Sequence, residues 1–268
     1  LEAAGIGEGD EVILSSHTYI ATAGAIAFVK AKPIPVECKE DWMIDPSAVE
    51  AAITPKTKAI IPTQLNGRCC DMDALRAIAK KHDLIIIEDA AQALGAKYKG
   101  EFAGTMGLAG TISFYPAKTL GSFGDAGAIL TNDKELYDKM RFARDHGRND
   151  EGEFIMWGYN SRMDNFQAAI LNYKLAYYDD EVKRRREIAS LYHQKLSGLN
   201  QIKLPQDPNA NEDYFDVYQN YEIRAEKREE LREFLKENGI GTLIQWGGQP
   251  VHTLNKLGFI NMSLPFTE

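Results

Sequence analysis

The chain has 268 residues, of which 44% are hydrophobic and 26% charged, and its formal net charge is −8. This is the composition of a globular protein that can form one large domain and a smaller one. The charge is acidic and no basic helix or lysine-rich run is present, so neither a nucleic acid nor an anionic membrane is an expected partner. No apolar run approaches the roughly 20 residues that cross a bilayer.

The cysteines and histidines predict no metal site. Cys38, Cys69 and Cys70 lack C-x-x-C spacing, so we expect neither a disulfide framework nor a zinc site, and a reducing cytoplasm is the predicted compartment. The five histidines also lack the spacing of metal ligands. The chain begins at Leu1 in what looks like the end of a helix and stops at Glu268 in an unfinished segment. We therefore expect a fragment that is truncated at both ends.

Strands and helices alternate over the first third of the chain. Apolar runs predict the strands, and capped or periodic stretches between them predict the helices. In chain order we expect strand 11–14, helix 20–30, strand 33–37, helix 47–53, strand 58–62, helix 71–82 and strand 83–88. The last strand is apolar on both faces, as in parallel sheets that helices cover on either side. The alternation predicts an α/β domain with a mostly parallel sheet.

The pattern then changes in the second half. We expect strand 110–115, strand 126–131, helix 133–145 and a long helical stretch over 163–199. A break in that stretch at residues 178–180 marks the predicted boundary between a large domain, 1–179, and a small domain, 180–268. The small domain is predicted to be α+β and incomplete, with strand-like alternation over 217–225, a helix over 227–238 and a strand over 240–246.

A lysine and an acid follow two of the predicted strands. Lys118 comes after strand 110–115 and Pro116, and Asp89 directly follows strand 83–88. Open α/β sheets bind ligands at strand ends. Alone, each residue has an ordinary interpretation, a surface lysine and a helix-capping acid. Together they match the needs of pyridoxal 5′-phosphate (PLP), because a lysine amine forms a Schiff base with its aldehyde and a carboxylate keeps its ring nitrogen protonated.

Other common site motifs are missing from the sequence. No G-x-G-x-x-G follows an early strand, and neither a G-x-x-x-x-G-K-[ST] run nor a G-x-S-x-G elbow occurs. Nicotinamide binding, P-loop nucleotide binding and serine hydrolysis therefore have no support from motifs.

The sequence resembles the DegT/DnrJ/EryC1/StrS sugar aminotransferases over nearly its whole length. Six segments carry the resemblance in the family's order and spacing: residues 9–13, 16–19, 88–93, 114–118, 124–127 and 158–163. The resemblance implies the aspartate-aminotransferase-like fold, which is PLP fold type I. It also implies PLP as the cofactor, held in a large domain that is followed by a smaller C-terminal α+β domain.

The resemblance assigns roles to individual residues. It implies that Lys118 forms the Schiff base and then moves a proton between substrate and cofactor, while Asp89 pairs with the pyridine nitrogen. The other implied cofactor contacts are Tyr19 on the ring face, Gln92 at the ring or its hydroxyl, Ser113 at the phosphate, and Asn160 at the phosphate of the neighbouring subunit. Asn160 thus implies a homodimer with a shared active site. A core or interface role for Tyr19 and a turn role for Asn160 stay open.

Two departures from the family pattern concern the phosphate and the substrate. The family's phosphate-binding Gly-Thr/Ser turn, which normally precedes the region of Leu1, is missing. In the small domain, residues 245–248 (Gln-Trp-Gly-Gly) replace a His-Tyr-Pro run that faces the substrate in many relatives. Trp246 is therefore a candidate for stacking on a base or sugar, with a core position as the alternative.

The implied activity is transfer of an amino group, with glutamate as the implied donor, to a nucleotide-linked keto-deoxy sugar. The Pro-Ala-Lys run and the glycine-rich loop after it resemble the members that act at carbon 3 rather than carbon 4 of the hexose. One alternative is a PLP-dependent sugar dehydratase of the same family, although dehydratases typically have histidine where Lys118 stands. The other is a regulatory or sensor protein that keeps the fold without catalysis.

Overall fold

The computed structural model describes all 268 residues. The strands are β1 Glu11–Ser15, β2 Lys32–Val36, β3 Thr57–Ile61, β4 Ile85–Asp89, β5 Lys97–Tyr98, β6 Glu101–Phe102, β7 Ala109–Ser113, β8 Gly127–Leu130, β9 Ile202–Lys203, β10 Tyr214–Phe215 and β11 Arg224–Ala225. The helices are α1 Ile20–Phe28, α2 Pro46–Ala51, α3 Met72–His82, α4 Lys134–Ala143, α5 Asn165–Leu175, α6 Tyr178–Leu196 and α7 Arg228–Glu237. None of these helices combines the length and the apolar content needed to cross a lipid bilayer.

A six-stranded sheet in the order β2-β1-β3-β4-β7-β8 forms the centre of the protein. Neighbouring strands from β2 to β7 pair in parallel, and only β8 runs antiparallel, beside β7. The prediction of an α/β fold with a mostly parallel sheet is confirmed. Because β4 and β7 are parallel neighbours, their carboxyl ends lie at the same edge of the sheet, where Asp89 pairs with Thr111.

The sheet is buried on both faces. Successive side chains of a strand point to opposite sides, so each strand contributes residues to a cluster on either face. Ile13 of β1 belongs to a cluster of 27 buried residues on one face. Its neighbours Val12 and Leu14 belong to a second cluster of 11 buried residues on the other face. These continuous aliphatic runs explain why β1, β3 and β4 could be predicted from the sequence to within about two residues.

Glu88, next to Asp89, is fully buried and anchors the loop between β4 and β7. Its carboxylate accepts hydrogen bonds from Gln64 Nε2 at 2.7 Å and from the backbone N–H groups of Gly104, Met106 and Gly107 at 2.8, 2.6 and 2.8 Å. A buried carboxylate is tolerated only when its oxygens have such donors. Glu88 therefore fixes how β7 approaches β4, and with it the sheet edge that carries the site.

Two of the predicted strands are wrong. Within 217–225 only Arg224–Ala225 pairs, as β11 with β9, and 240–246 contains no strand. The backbone and polar side chains of residues 217–222 instead hydrogen-bond to loops from earlier in the chain; Val217 N–H, for example, donates to the carbonyl of Gly67 at 2.8 Å. Residues 245–248 form a turn in which Trp246 and both glycines have positive φ. Alternating apolar side chains can therefore also occur in an extended segment that packs on loops and does not pair with a strand.

The long helical stretch predicted over 163–199 consists of two helices, α5 and α6, that are interrupted at residues 176–177. The position of the domain boundary at 179/180 stays a prediction, since α6 runs through it.

Candidate active site

Asp89 is the last residue of β4, and both of its carboxylate oxygens accept hydrogen bonds. Thr22 Oγ1, from α1, donates to Oδ2 at 2.6 Å. The backbone N–H of Ala91 donates to Oδ1 at 3.1 Å. These two donors fix the direction of the carboxylate and leave its other lone pairs able to accept from a cationic N–H group.

Three threonine hydroxyls form a chain that ends at Asp89. Thr63 Oγ1 donates to Thr18 Oγ1 at 2.9 Å, and Thr18 Oγ1 lies 3.0 Å from Thr22 Oγ1. Since Thr22 donates its own proton to Asp89, Thr18 must donate to Thr22, and every proton in the chain points toward the carboxylate. All three threonines are buried. The sequence interpretation missed them; the four-residue spacing of Thr18 and Thr22 at the start of α1 was the available signal.

Lys118 lies in a turn five positions after the end of β7, where its backbone N–H donates to the carbonyl of Tyr115 at 2.8 Å. Its side chain is half-buried. Burial lowers the pKa of the Lys118 ammonium below its ordinary value, and the negative charge of Asp89 partly offsets this. The structure therefore brings Lys118 within electrostatic reach of Asp89, with an amine that is more readily deprotonated than that of a free lysine.

Gln92 and Ser113 each have one polar group left without a partner. Gln92 Oε1 accepts from the backbone N–H of Asn66 at 2.8 Å, so the amide NH₂ of Gln92 is the group available to a ligand. Ser113 ends β7, and its Oγ accepts from the N–H of Tyr115 at 3.3 Å, which leaves the hydroxyl proton to donate elsewhere. Gln92 comes three residues after the end of β4, and Ser113 is the last residue of the neighbouring β7, so both lie near the sheet edge that carries Asp89.

Tyr19 and Trp246 lie side by side, although they are far apart in the sequence. Tyr19, directly before α1, is 57% exposed. The Trp246 ring centroid lies 6.5 Å from that of Tyr19 and 5.2 Å from that of His17, both in tilted geometry. Trp246 is half-buried and also packs against the larger core cluster. The structure thus places Trp246 beside Tyr19, and its contacts include the core as well as the site.

The side chains of His17 and Glu222 lie close together next to these rings. The distance between His17 Nε2 and Glu222 Oε1 is 3.5 Å. Burial by itself would raise the pKa of Glu222, but the hydrogen bond and charge of His17, together with a hydrogen bond from Asn66, hold that pKa below its ordinary value. Asn66 Nδ2 donates to Glu222 at 2.5 Å, and Gln245 Nε2 donates to the same carboxylate at 3.0 Å. The sequence interpretation missed this polar group.

Asn160 makes no hydrogen bond to the other predicted site residues of its own chain. It ends a hairpin over 145–160, pairs with Asp145 across that hairpin, and accepts from Arg162 at 3.1 Å. The hairpin exposes apolar side chains, with Phe154 74% and Trp157 96% exposed. The backbone is tightly packed, because a Cβ on Gly158 would come within 2.2 Å of Gly147 N. The hairpin is therefore a closely packed element that exposes an apolar stretch over residues 154–157.

The chemistry of the assembled groups fits PLP. An amine of lowered pKa matches its aldehyde, a fixed carboxylate matches its ring nitrogen, and a half-exposed tyrosine matches its ring face. The unpartnered NH₂ of Gln92 and hydroxyl of Ser113 are donors that suit the ring oxygen and the phosphate. The residues present therefore agree with the cofactor that the sequence implies.

Comparisons with known proteins show which family and which structures this chain resembles. Residues 1–257 match the sequence pattern of the DegT/DnrJ/EryC1/StrS aminotransferase family. The chain is 46% identical, over all of its length and 73% of the relative's, to a "pleiotropic regulatory protein" of Geobacillus stearothermophilus. It is 45% identical, over 94% of its length and 66% of the relative's, to dTDP-3-amino-3,4,6-trideoxy-alpha-D-glucose transaminase of Streptomyces venezuelae.

The solved structures with a similar fold include two from named bacteria. DesV of S. venezuelae, in complex with a ketimine intermediate, has a TM-score of 0.94 and 43% identity, and the match covers 100% of this chain and 72% of that one. NtdA of Bacillus subtilis, with bound cofactor PMP, has a TM-score of 0.88 and 33% identity, covering 100% of this chain and 62% of that one.

Proposed function

Because the chain belongs to the DegT/DnrJ/EryC1/StrS aminotransferase family, we propose that it is a PLP-dependent aminotransferase of nucleotide-linked keto-deoxy sugars, with glutamate as the amino donor. The observation that carries the proposal is the placement of Lys118 after the strand next to the one that Asp89 ends, within electrostatic reach of the carboxylate. Burial lowers the pKa of the lysine, and the carboxylate that acts on it is fixed by two donors. Burial would not lower the pKa of a surface lysine in this way, and a helix-capping acid has no need of the donor that Thr22 supplies from α1.

The proposed roles follow from these environments. PLP, when bound, supplies an aldehyde that carries the amino group between the two substrates and a ring that accepts electron density from the reacting carbon. Lys118 Nζ would take a proton from the carbon of the amino donor and deliver it to the cofactor carbon that bears the amino group, and would move a proton the opposite way when the sugar is aminated; its lowered pKa favours this role as a base. Asp89 holds the positive charge on the ring nitrogen, and Thr22 keeps the carboxylate aimed. Tyr19, Gln92 and Ser113 hold the ring face, the ring oxygen and the phosphate.

For the sugar substrate we propose amination at carbon 3. The S. venezuelae relative, 45% identical, is named as a transaminase of a 3-amino sugar. The position of Trp246 favours a contact with the substrate, since its ring centroid lies 6.5 Å from that of Tyr19 and its ring lies next to His17 and Glu222. We assign Trp246 to the sugar or base of the substrate, in a polar surrounding that can hydrogen-bond hydroxyl groups.

We also propose a homodimer in which Asn160 completes the partner's site. Two observations support it: Asn160 has only local contacts within one chain, and it ends a hairpin with an exposed apolar surface. Surfaces of this kind mark protein interfaces. Mixing Asn160→Ala protein with Lys118→Ala protein tests the shared site, because a hybrid dimer regains one intact site. We expect partial recovery of activity, whereas a mixture as inactive as its parents would contradict the shared site.

A regulatory protein is the second candidate, because the 46% identical relative from G. stearothermophilus carries that name. The Lys118–Asp89 pair favours catalysis over this candidate, and Lys118 also argues against a dehydratase. The deciding experiment adds saturating glutamate to the PLP-loaded protein and measures formation of pyridoxamine phosphate. We expect full conversion within the dead time of manual mixing. If no pyridoxamine phosphate forms over hours, the result contradicts the transferase and favours the regulatory protein.

A further inference from the structure

The side chain of Gln219 binds the backbone on both sides of Lys118. Gln219 Nε2 donates to the carbonyl of Ala117 at 2.8 Å. Gln219 Oε1 accepts from the backbone N–H of Thr119 at 2.8 Å. One amide therefore holds the two peptide groups that flank the lysine, and its orientation is unambiguous because a carbonyl faces one end and an N–H the other.

The part of the loop before Lys118 has fewer other anchors than the part after it, so its position depends more on Gln219. After Lys118, the loop is anchored by buried Leu120 and by the hydrogen bond between Thr119 Oγ1 and Tyr178 OH at 2.9 Å. Before Lys118, residues 115–117 are exposed, and Gln219 is the one side chain that binds the backbone of Ala117. The position of the Lys118 backbone is thus set from one direction by the fold and from the other by Gln219.

The segment that carries Gln219 is itself firmly docked on the large domain. Val217 is fully buried, and its N–H donates to the carbonyl of Gly67 at 2.8 Å. Gly67 has a φ of +90°, and a Cβ there would come within 2.7 Å of Tyr218 N. Only a glycine permits this close approach, which brings Gln219 to the lysine loop.

The same segment reaches the other side of the site. Asn220 Nδ2 donates to Asn66 Oδ1 at 3.0 Å, and the backbone N–H of Asn66 donates to Gln92 Oε1 at 2.8 Å. Residues 217–222 thus contact the lysine loop through Gln219 and the Gln92 side of the site through Asn66. A shift of this segment would move both sides together.

We propose that Gln219 is a positioning residue for Lys118: its amide, on a segment that docks against Gly67, fixes where the lysine amine lies relative to Asp89. The inference rests on the proposed use of Lys118 and adds a residue that neither motif nor spacing identifies. Gln219 acts through the backbone and needs no contact with substrate or cofactor. Its loss therefore changes the position and proton affinity of Nζ while leaving the binding surface for the substrates in place.

The test compares Gln219→Ala and Gln219→Glu with Gln194→Ala, which removes an exposed glutamine of α6 that has no side-chain hydrogen bond. The first measurement uses the protein without cofactor and follows hydrogen exchange of the Thr119 amide. The second follows the pH dependence of trace acetylation of Lys118 by acetic anhydride, read by mass spectrometry. The third uses the loaded enzyme and separates kcat from KM for glutamate.

In Gln219→Ala we expect the Thr119 amide to exchange about tenfold faster, since it loses its acceptor. In Gln219→Glu we expect the acetylation profile of Lys118 to move to higher pH, because an added carboxylate next to the lysine favours its charged form. For both variants kcat should fall by roughly tenfold or more with KM almost unchanged, as for a group that acts on the reacting lysine. Gln194→Ala should behave as wild type in all three measurements.

Two results would overturn the inference. One is an acetylation profile of Lys118 that is the same in Gln219→Glu and in wild type. The other is a Thr119 exchange rate that Gln219→Ala leaves unchanged. A wild-type protein that takes up no PLP would refute the proposed function instead, and the two measurements without cofactor would still decide whether Gln219 positions the lysine.

Discussion

Asp89 and Lys118 face one site from two regions that are built in different ways. Asp89 ends a central strand of a sheet that is buried on both faces, and its donors come from α1 and from the next turn of the chain. Lys118 lies in a loop whose position depends on Gln219, 101 positions later in the sequence. The acid is therefore placed by the regular part of the fold, whereas the lysine is placed by contacts between distant irregular segments.

The largest expected effect comes from removing the charge on the sheet side. Asp89→Asn keeps the shape of the side chain but removes the anion that pairs with the ring nitrogen. Losing one partner of a buried ion pair costs about 3–5 kcal/mol, so the donor half-reaction should slow by roughly 10²–10⁴-fold. Single-turnover kinetics with glutamate measures this. Asp83→Asn, which alters the residue capping α3, is the control and should leave the rate unchanged.

A second change moves the segment that holds the lysine loop without altering any predicted site residue. Gly67→Ala places a Cβ within 2.8 Å of Gln219 N at a φ of +90°, so the segment 217–222 must move. Backbone strain of this kind costs about 1–3 kcal/mol, and the clash adds to it. We expect a lower free energy of unfolding in urea and a lower kcat.

Gly100→Ala is the matched control, because its φ is +84° and no atom lies within 4 Å of the added Cβ. Both variants carry the strain of a positive φ, and only Gly67→Ala should also lose kcat. Equal losses of activity in the two variants would show that the docking of 217–222 does not matter to the lysine.

A smaller effect is expected from the hydroxyl chain on the sheet side. Thr22→Val keeps the volume of the side chain but leaves Asp89 Oδ2 and the Thr18 hydroxyl without their partner. A hydrogen bond to a charged group contributes about 1.5–3 kcal/mol. The free energy of unfolding should therefore fall, and the activation free energy of the donor reaction should rise, by amounts within that range, so that kcat falls. Urea unfolding and donor kinetics measure them, with Thr253→Val, an exposed threonine, as the control. An unchanged kcat would mean that Ala91 alone orients Asp89.

The smallest expected effect is the pH dependence of stability that Lys118 produces. Its pKa is lowered in the folded protein, so between that value and the ordinary 10.5 the unfolded chain binds more protons. The free energy of unfolding of the cofactor-free protein should therefore rise with pH across this window, relative to that of Lys118→Met. Parallel urea titrations at several pH values measure the difference, and a difference that falls with increasing pH would contradict the lowered pKa.

The contrast between the regular sheet around Asp89 and the irregular segments around Lys118 also explains how much could be predicted from the sequence. Strands β1, β3 and β4 contain continuous aliphatic runs, so their positions and the sheet edge with Asp89 could be predicted. The motif containing Lys118 could be identified from family resemblance. Gln219 could not, because its role depends on a tertiary contact that no periodicity marks, and the strand predicted over 217–225 was wrong for the same reason. The direction of the Thr63–Thr18–Thr22 chain likewise depends on three separate elements meeting.

The most direct test of the account is to load the protein with PLP, reduce it with sodium borohydride and map the modified peptide. The account predicts one modified lysine, Lys118, with a visible absorbance band that reduction removes. It also predicts that Lys118→Ala protein shows neither the band nor the modification. Labelling of another lysine, or a band that persists in Lys118→Ala protein, would contradict it.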